Sequence, residues 1–295
     1  MRQPYDDVVP GLARLIEAEL DPAYRRRVAQ VMQWLPPSAA ADSHVVDVGC
    51  GRGYYLQYYA ELGQARMTGV ELDGWTVSQA AQAHAQRANV QVIRADVTQL
   101  PLPSAAFSGA ILSEILEHVA DDEAVLREVY RVVRPGSVVA ITVPHTRYPW
   151  AWDPINRSLD ILGIAPIRQG CLAGIWAQHL RLYSADALQA VVLRAGFEVE
   201  EVRTQVRYCL PFAHNLLYGI GKPLFDSGLL PKGFADTLDR YRSAAGPRRS
   251  PSLLMRALHG VFDLIDRFNP PQAAAGSPGV NLCLKARKTR VRRRP

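Results

Sequence analysis

The chain predicts an α/β protein built on a doubly wound, largely parallel sheet, and three observations carry that expectation. A short apolar run, Val45-Val-Asp-Val48, enters a glycine-rich turn, Gly49-Cys-Gly-Arg-Gly53, and leaves it in a helical pattern through Tyr54, Tyr55, Leu56 and Tyr59. Strand-like and helix-like segments then alternate as far as Val143, the order that puts helices on both faces of a parallel sheet. An acidic residue, Glu71, closes the second strand 18 residues after Gly53, where α/β folds that bind nucleotides hold the two ribose hydroxyls. Glycine lets the backbone turn sharply and a ligand approach its amides. The helix that follows aims the positive end of its dipole at the turn.

Length and composition allow one sizeable domain with an embellishment. The 295 residues are 48% hydrophobic, and a mean hydropathy of -0.07 fits a soluble globular protein. Four scattered cysteines (Cys50, Cys171, Cys209, Cys283) contain no CxxC pair, which speaks against a disulfide framework or a structural zinc site and suits a reducing compartment. Met1-Arg-Gln-Pro-Tyr-Asp-Asp lacks the apolar core of a signal peptide, and no run approaches a spanning length. The expected location is cytoplasmic. Of the formal charge of +6, the stretch from Lys285 to Arg294 supplies seven positives and no acid, so the remainder is near neutrality with 27 basic against 28 acidic side chains. The basicity therefore reads as a disordered tail, suited to solvent, to anionic lipid or to phosphate.

Taken in order, residues 8–40 carry apolar positions at helical spacing (Leu12, Leu15, Ile16, Leu20; Val28, Val31, Met32, Leu35) that end at Pro36-Pro37, predicting two capping helices. Arg25, Arg26 and Arg27 lie there, as a solvated face or near a bound carboxylate. A first strand, the glycine turn and a helix to Leu62 lead to a second strand at 67–72, a βαβ unit with a right-handed crossover. A helix over 76–86, a third strand at 90–93, a fourth opening at Phe107 and running to Ser113, a helix over 122–133 and a fifth strand at 138–143 follow.

The ordered set D-h-G-C-G-x-G (Asp47 to Gly53), G-V-E (to Glu71), A-D-V…L-P (Asp96, Val97), S-x-x-L-E-H-V (Ser113 to Val119) and R-V-V-R-P-G (Arg131 to Gly136) resembles the class I S-adenosylmethionine (SAM) methyltransferases, of the type 11 methyltransferase-domain group, across residues 44–144. The resemblance implies a Rossmann-like doubly wound sheet of seven strands with the last antiparallel, and SAM as cofactor. It implies cofactor contacts from Asp47, Gly49, Cys50, Gly51, Gly53, Glu71, Leu72, Asp96, Val97 and Ser113. In such a site Asp96 accepts a hydrogen bond from the adenine amino group, and the Val97 amide reaches a ring nitrogen. Ser108 and Ser137 stand where the family has an aspartate and a second glycine, and could loosen the local turns. Glu114, Glu117 and His118 are similar to a stretch of the ubiquinone-biosynthesis O-methyltransferases whose acids can hold a divalent metal. L-E-H-V is also widespread in SAM enzymes without one, so no metal is assigned.

Residues 145–182 are aromatic and irregular, and Tyr148, Trp150, Trp152 and Trp176 are candidates for a pocket around a flat apolar acceptor. Strand six follows a helix closed by Gly196, and Val280-Asn-Leu-Cys-Leu-Lys285 resembles strand seven. The expected organisation is capping helices (1–40), a core (41–207), a helical apolar insertion (208–278), the last strand (279–288) and a basic tail (289–295). Leu254, Leu258, Val261, Phe262 and Ile265 make the second part of the insertion an amphipathic helix, serving as lid, membrane-surface patch or dimer interface. Methyl transfer needs a placed nucleophile and, for a hydroxyl, a base. His118, His145 and His179 are the candidates, since an imidazole titrates near neutrality. The reading is methyl transfer to an oxygen of a hydrophobic or lipid-linked small molecule, in the cytoplasm or peripherally at the inner membrane face. The rivals are an RNA methyltransferase using the tail, with the near-neutral body against nucleic acid, and a non-catalytic SAM-binding membrane-associated protein.

Overall fold

A computed structural model describes residues 9–17, 19–40, 42–63, 65–216, 253–270, 273–274 and 276–289. Two helices come first, α1 (Leu12–Ile16) and α2 (Pro22–Trp34). Asp21 caps α2 by accepting the Ala23 amide at 2.8 Å, and Pro22 fills the first helical position, where its missing N–H costs nothing. The alternating unit is β1 (His44–Val48), α3 (Tyr54–Leu62), β2 (Arg66–Glu71), α4 (Gly74–Ala83), β3 (Val90–Arg94), β4 (Phe107–Ser113), α5 (Asp122–Val132) and β5 (Val133–Pro144). Then come α6 (Pro154–Ile161), α7 (Ala185–Arg194), β6 (Phe197–Gln205), α8 (Leu253–Asp266), β7 (Ala273–Ala274) and β8 (Asn281–Lys288).

The sheet order is β3-β2-β1-β4-β5-β8-β6-β7. Strands β1 to β5 pair in parallel, and β8 runs antiparallel between β5 and β6. The seven-stranded sheet with an antiparallel last strand is thus present, with a two-residue addition, β7, on the β6 edge. Strand order reverses between β1 and β4, and the crevice outside the carboxyl ends at such a switch point is where open α/β sheets bind ligands. One face is packed by α5 and α7 through Leu126, Val129, Leu188 and Val191 against Val46, Leu112 and Ile141. The other is packed by α1, α2 and α3 through Leu12, Met32, Leu56 and Tyr59 against Met67 and Ile111. The four cysteines are free thiols.

Several expectations need correction. Residues 145–182 contain a helix, α6, begun by Asp153, whose carboxylate accepts the Asn156 amide, with Pro154 next. Strand β5 starts at Val133, opposite Phe107, and bulges before the Gly109–Val138 pair, so Arg134 to Ser137 lie within it. Ser108 and Ser137 tie the sheet together: Ser108 Oγ accepts the His44 amide (2.9 Å) and donates to its carbonyl (3.1 Å), and Ser137 Oγ donates to the Phe107 carbonyl. Three of the seven terminal positives belong to β8. Lys285 and Arg287 pair with Glu200, and Lys288 Nζ donates to the carbonyls of Tyr130 and Val133. The other four, Arg290 to Arg294, and the first part of the insertion from Leu217 lie outside the described residues.

The three arginines of α2 form neither a solvated face nor a free cationic patch. Arg25 pairs with Asp263 (2.7 Å) and Arg26 with Asp266 (2.7 Å), both on α8, while Arg27 pairs with Glu114 after β4 (3.0 Å). Helix α2 thereby joins the insertion helix to the crevice. On α8, Phe262 is buried against Leu20, but Leu253, Val261 and Leu264 are exposed, as is Phe268 just past its end, so Val261 falls on the outer face.

Candidate functional site

Two groups of residues meet at the carboxyl ends of β1, β2 and β4. The first is the glycine turn. Gly49, Gly51 and Gly53 take positive φ values of 74°, 53° and 84°, a region that costs other L-residues about 1–2 kcal/mol. A Cβ on Gly51 would meet nothing within 4 Å, whereas one on Gly49 would strike the Ile115 side chain at 2.7 Å. The turn is thus open on one side and braced on the other. Glu71 ties the turn to the end of β2: its Oε2 accepts from Gly51 N (3.0 Å) and its Oε1 from Leu72 N (2.8 Å) and Asp73 N (3.1 Å). Cys50 is buried beneath the turn with its amide on the Val70 carbonyl, and burial pushes its thiol pKa up.

Asp47 lies under the same turn, 1% exposed, with Oδ2 unpartnered. Burial first, then the Glu71 carboxylate, raise its pKa to about 8. Asp96 is exposed, and its Oδ1 accepts the Thr98 amide and hydroxyl, which lowers its pKa. Val97 is buried beside it. An open φ-positive turn, an orphaned buried carboxylate oxygen and a ring of acids fit an adenosyl sulfonium: Asp47 and Glu71 lie by the turn, and Asp96 is available to an amino group. Ser113 joins a chain of hydroxyls, 3.4 Å from Tyr55 Oη and 3.0 Å from Thr142 Oγ1.

The second group follows β4. Glu114 adopts a φ of 55°, and its carboxylate accepts from Thr142 Oγ1 (3.0 Å), Asn281 Nδ2 (3.1 Å) and Arg27 (3.0 Å). It is therefore occupied by the protein, which removes it from the E-x-x-E-H ligand set. Glu117 is fully buried, and neither carboxylate oxygen accepts a hydrogen bond from another residue. Burial and then Glu114 push its pKa well up. His118 Nε2 lies 3.9 Å and His179 Nε2 4.0 Å from Glu117 Oε1. The two rings meet edge to face at 4.7 Å.

Of the three candidate bases the structure brings His118 and His179 together and sets His145 apart. His145 is buried just past the end of β5, its amide on the Val280 carbonyl, and burial lowers its pKa to about 4. Burial and the neighbouring His118 likewise lower His179 to about 4. The aromatic candidates also divide. Tyr148 and Trp152 are core, packed with Ile175, Val206 and Val280, and Trp176 only partly so, whereas Trp150 is exposed with its indole N–H on Ser158. The partner of Arg27 lies 87 residues away, and no local pattern in the sequence announces such a pair.

With this geometry in view, residues 46–141 match the model of the methyltransferase domain. That segment is a SAM-dependent methyltransferase domain of class I. Among curated relatives, the O-methyltransferase cnsE of Penicillium expansum is 30% identical over 58% of this chain and 57% of its own. The O-methyltransferase resE of Aspergillus sclerotiorum is 33% identical over 58% of this chain and 61% of its own. The match thus spans less than two thirds of either relative. Phosphoethanolamine N-methyltransferase 2 of Haemonchus contortus, solved with SAM, superposes with a TM-score of 0.54 at 16% identity, over 95% of this chain and 57% of that one; this likeness speaks to the fold. No helix among the described residues is long and apolar enough to cross a membrane.

Proposed function

We propose that this methyltransferase moves a methyl group from SAM to an oxygen of a hydrophobic or lipid-linked small molecule. The observation that carries the reading is the Asp47–Glu71 pair around the φ-positive glycine turn, in a family whose similar members include O-methyltransferases. When bound, SAM supplies a methyl group already activated by its sulfonium. Glu71 holds the turn amides in place and has lone pairs left for hydroxyl donors, since a carboxylate offers about four acceptor sites and three are in use. Asp47 provides a buried negative charge for the cationic cofactor, which draws it toward its ionised form.

On the acceptor side the chain offers a fixed polar centre, Glu117 with His118 and His179, one strand from the turn. Proton loss from an acceptor hydroxyl falls to this cluster, and His145, buried just past the end of β5 with its amide on the Val280 carbonyl, has a structural part. The exposed apolar residues of α8 and of the segment from Ile161 to Leu180 support an apolar acceptor delivered from a membrane surface, which a helix lying in the interface would meet with its apolar face. The lysines and arginine of β8 weaken the RNA reading, since they are already engaged by carbonyl and carboxylate partners.

The test is transfer of labelled methyl from SAM into a cell extract fractionated into lipid, RNA and small molecules. Label in the lipid or small-molecule fraction is the expected outcome. Label in RNA, or none anywhere with SAM bound, overturns it in favour of the RNA enzyme or the non-catalytic binder respectively.

A further inference from the structure

The Glu117–His118–His179 cluster has properties that base chemistry does not require. A glutamate with no exposed surface whose two oxygens accept no hydrogen bond from another residue is a buried polar group in want of a partner, since such groups are as a rule hydrogen-bonded, paired or bound to a metal. His118 Nδ1 lies 3.0 Å from the carbonyl of Gln178. A carbonyl only accepts, so Nδ1 carries the proton, and in the neutral ring Nε2 is a lone pair on the side of Glu117. That is how proteins orient imidazoles that bind metal ions: the far nitrogen donates to a carbonyl and fixes the tautomer. The carbonyl itself is set by Gln178 at a φ of 64°, a conformation rare outside glycine.

The two loops are fastened to each other. The Leu180 amide donates to the Glu117 carbonyl (2.8 Å), the Tyr183 hydroxyl to the Leu116 carbonyl, and Arg181 to the Ala120 carbonyl and the Asp122 carboxylate. One oxygen of Glu117 and one nitrogen from each histidine all lie within 4.8 Å of one another. Ligand atoms around a four-coordinate ion with bonds of ~2.1 Å stand about 3.4 Å apart, so side-chain movements of about 1 Å close the shell.

We propose that Glu117, His118 and His179 form a binding site for a divalent transition-metal ion. Two imidazoles and one carboxylate favour zinc, or a neighbour such as manganese, iron or cobalt, over magnesium and calcium, which prefer all-oxygen shells. The acidic neighbour Glu114 takes no part, since Arg27, Asn281 and Thr142 hold its carboxylate. Three protein ligands leave a coordination position open to a water or an acceptor oxygen, as in catalytic rather than structural sites. A cation there does by its charge what a free imidazole does by its lone pair: it makes an adjacent hydroxyl easier to deprotonate. Binding of the ion does not depend on methyl transfer and is measured without substrate.

The experiment uses the full-length, untagged protein, stripped with chelator and titrated with ZnCl₂ by calorimetry and with CoCl₂ by visible absorption. The expected result is one ion per chain and a cobalt d–d band from mixed nitrogen and oxygen ligands. His118→Ala, at an exposed position that tolerates truncation, and His179→Ala each weaken binding at least tenfold, as loss of a ligand must exceed the tenfold effect of losing its outer partner. His259→Ala, on α8, leaves the titration unchanged. No stoichiometric uptake by the parent chain, or uptake that both ligand variants retain, overturns the proposal. Methyl transfer by a protein that binds no ion would overturn it while leaving the proposed function standing.

Discussion

The glycine turn and the Glu117 cluster share one edge of the sheet, and they are assembled in different ways. Around the turn, backbone amides do the holding: Gly51, Leu72 and Asp73 converge on Glu71, and every partner comes from one βαβ unit of about thirty residues. Around Glu117 the holding is done by side chains from distant parts of the chain. Arg27 reaches Glu114, Asn281 reaches the same carboxylate, and His118 meets the loop of Gln178 and His179. A backbone-built site serves a ligand common to a whole family, because it depends little on side-chain identity. A side-chain-built site can be respecified by changing single residues without touching the strands that carry it.

Four experiments sharpen or break that contrast. The largest effect is expected from Glu71→Lys, which removes three amide acceptors and adds a charge that repels a sulfonium. SAM uptake by calorimetry should weaken at least about a hundredfold, since hydrogen bonds to a charged group are each worth roughly 1.5–3 kcal/mol; unaltered uptake would show that the turn holds no cofactor. Arg27→Ala comes next. It leaves the Glu114 carboxylate half-buried with neutral partners, and denaturant unfolding should lose about 2 kcal/mol, below the 3–5 of a fully buried pair.

Asp47 gives a pH test. Its folded pKa of about 8 lies above the ordinary value near 3.9. Between those limits the folded state therefore binds more protons than the unfolded one. Its contribution to stability is complete below about pH 4 and is lost as pH rises through about 8, with a slope of at most ~1.4 kcal/mol per pH unit. Asp47→Asn should flatten unfolding free energy across that window, and a slope that survives the substitution would assign it to another group. The smallest effect is Gly49→Ala, where a φ of 74° and the Ile115 side chain together predict about 1–2 kcal/mol. A variant as stable as the parent would show that the turn yields easily.

The same contrast explains what was legible in the sequence. The strands, the glycine turn and helices α3, α5 and α7 announce themselves through periodicity and caps, because the forces that make them act within a few residues. Helix α8 was legible for the same reason, down to Phe262 on its inner face. Helix α6 was obscured by aromatic residues that look like a pocket and are partly core, although Asp153-Pro154 is a readable start. The pairing of His118 with His179 spans 61 residues and is decided by how two loops lie over the sheet edge. Lys285, Arg287 and Lys288 looked like the start of a tail because charge was counted without its partners. Glu200 and two backbone carbonyls engage the side chains that the composition left exposed.

The position of β8 carries a last consequence, for biosynthesis. It wedges between β5 and β6 although it is made about seventy-five residues after β6. While a ribosome is still extending the chain, β5 and β6 present two raw strand edges that cannot satisfy each other. Such edges invite pairing with neighbouring nascent chains. Premature termination between Gln205 and Asn281 should therefore yield a sticky, chaperone-dependent fragment, even though every residue of the glycine turn has already been translated.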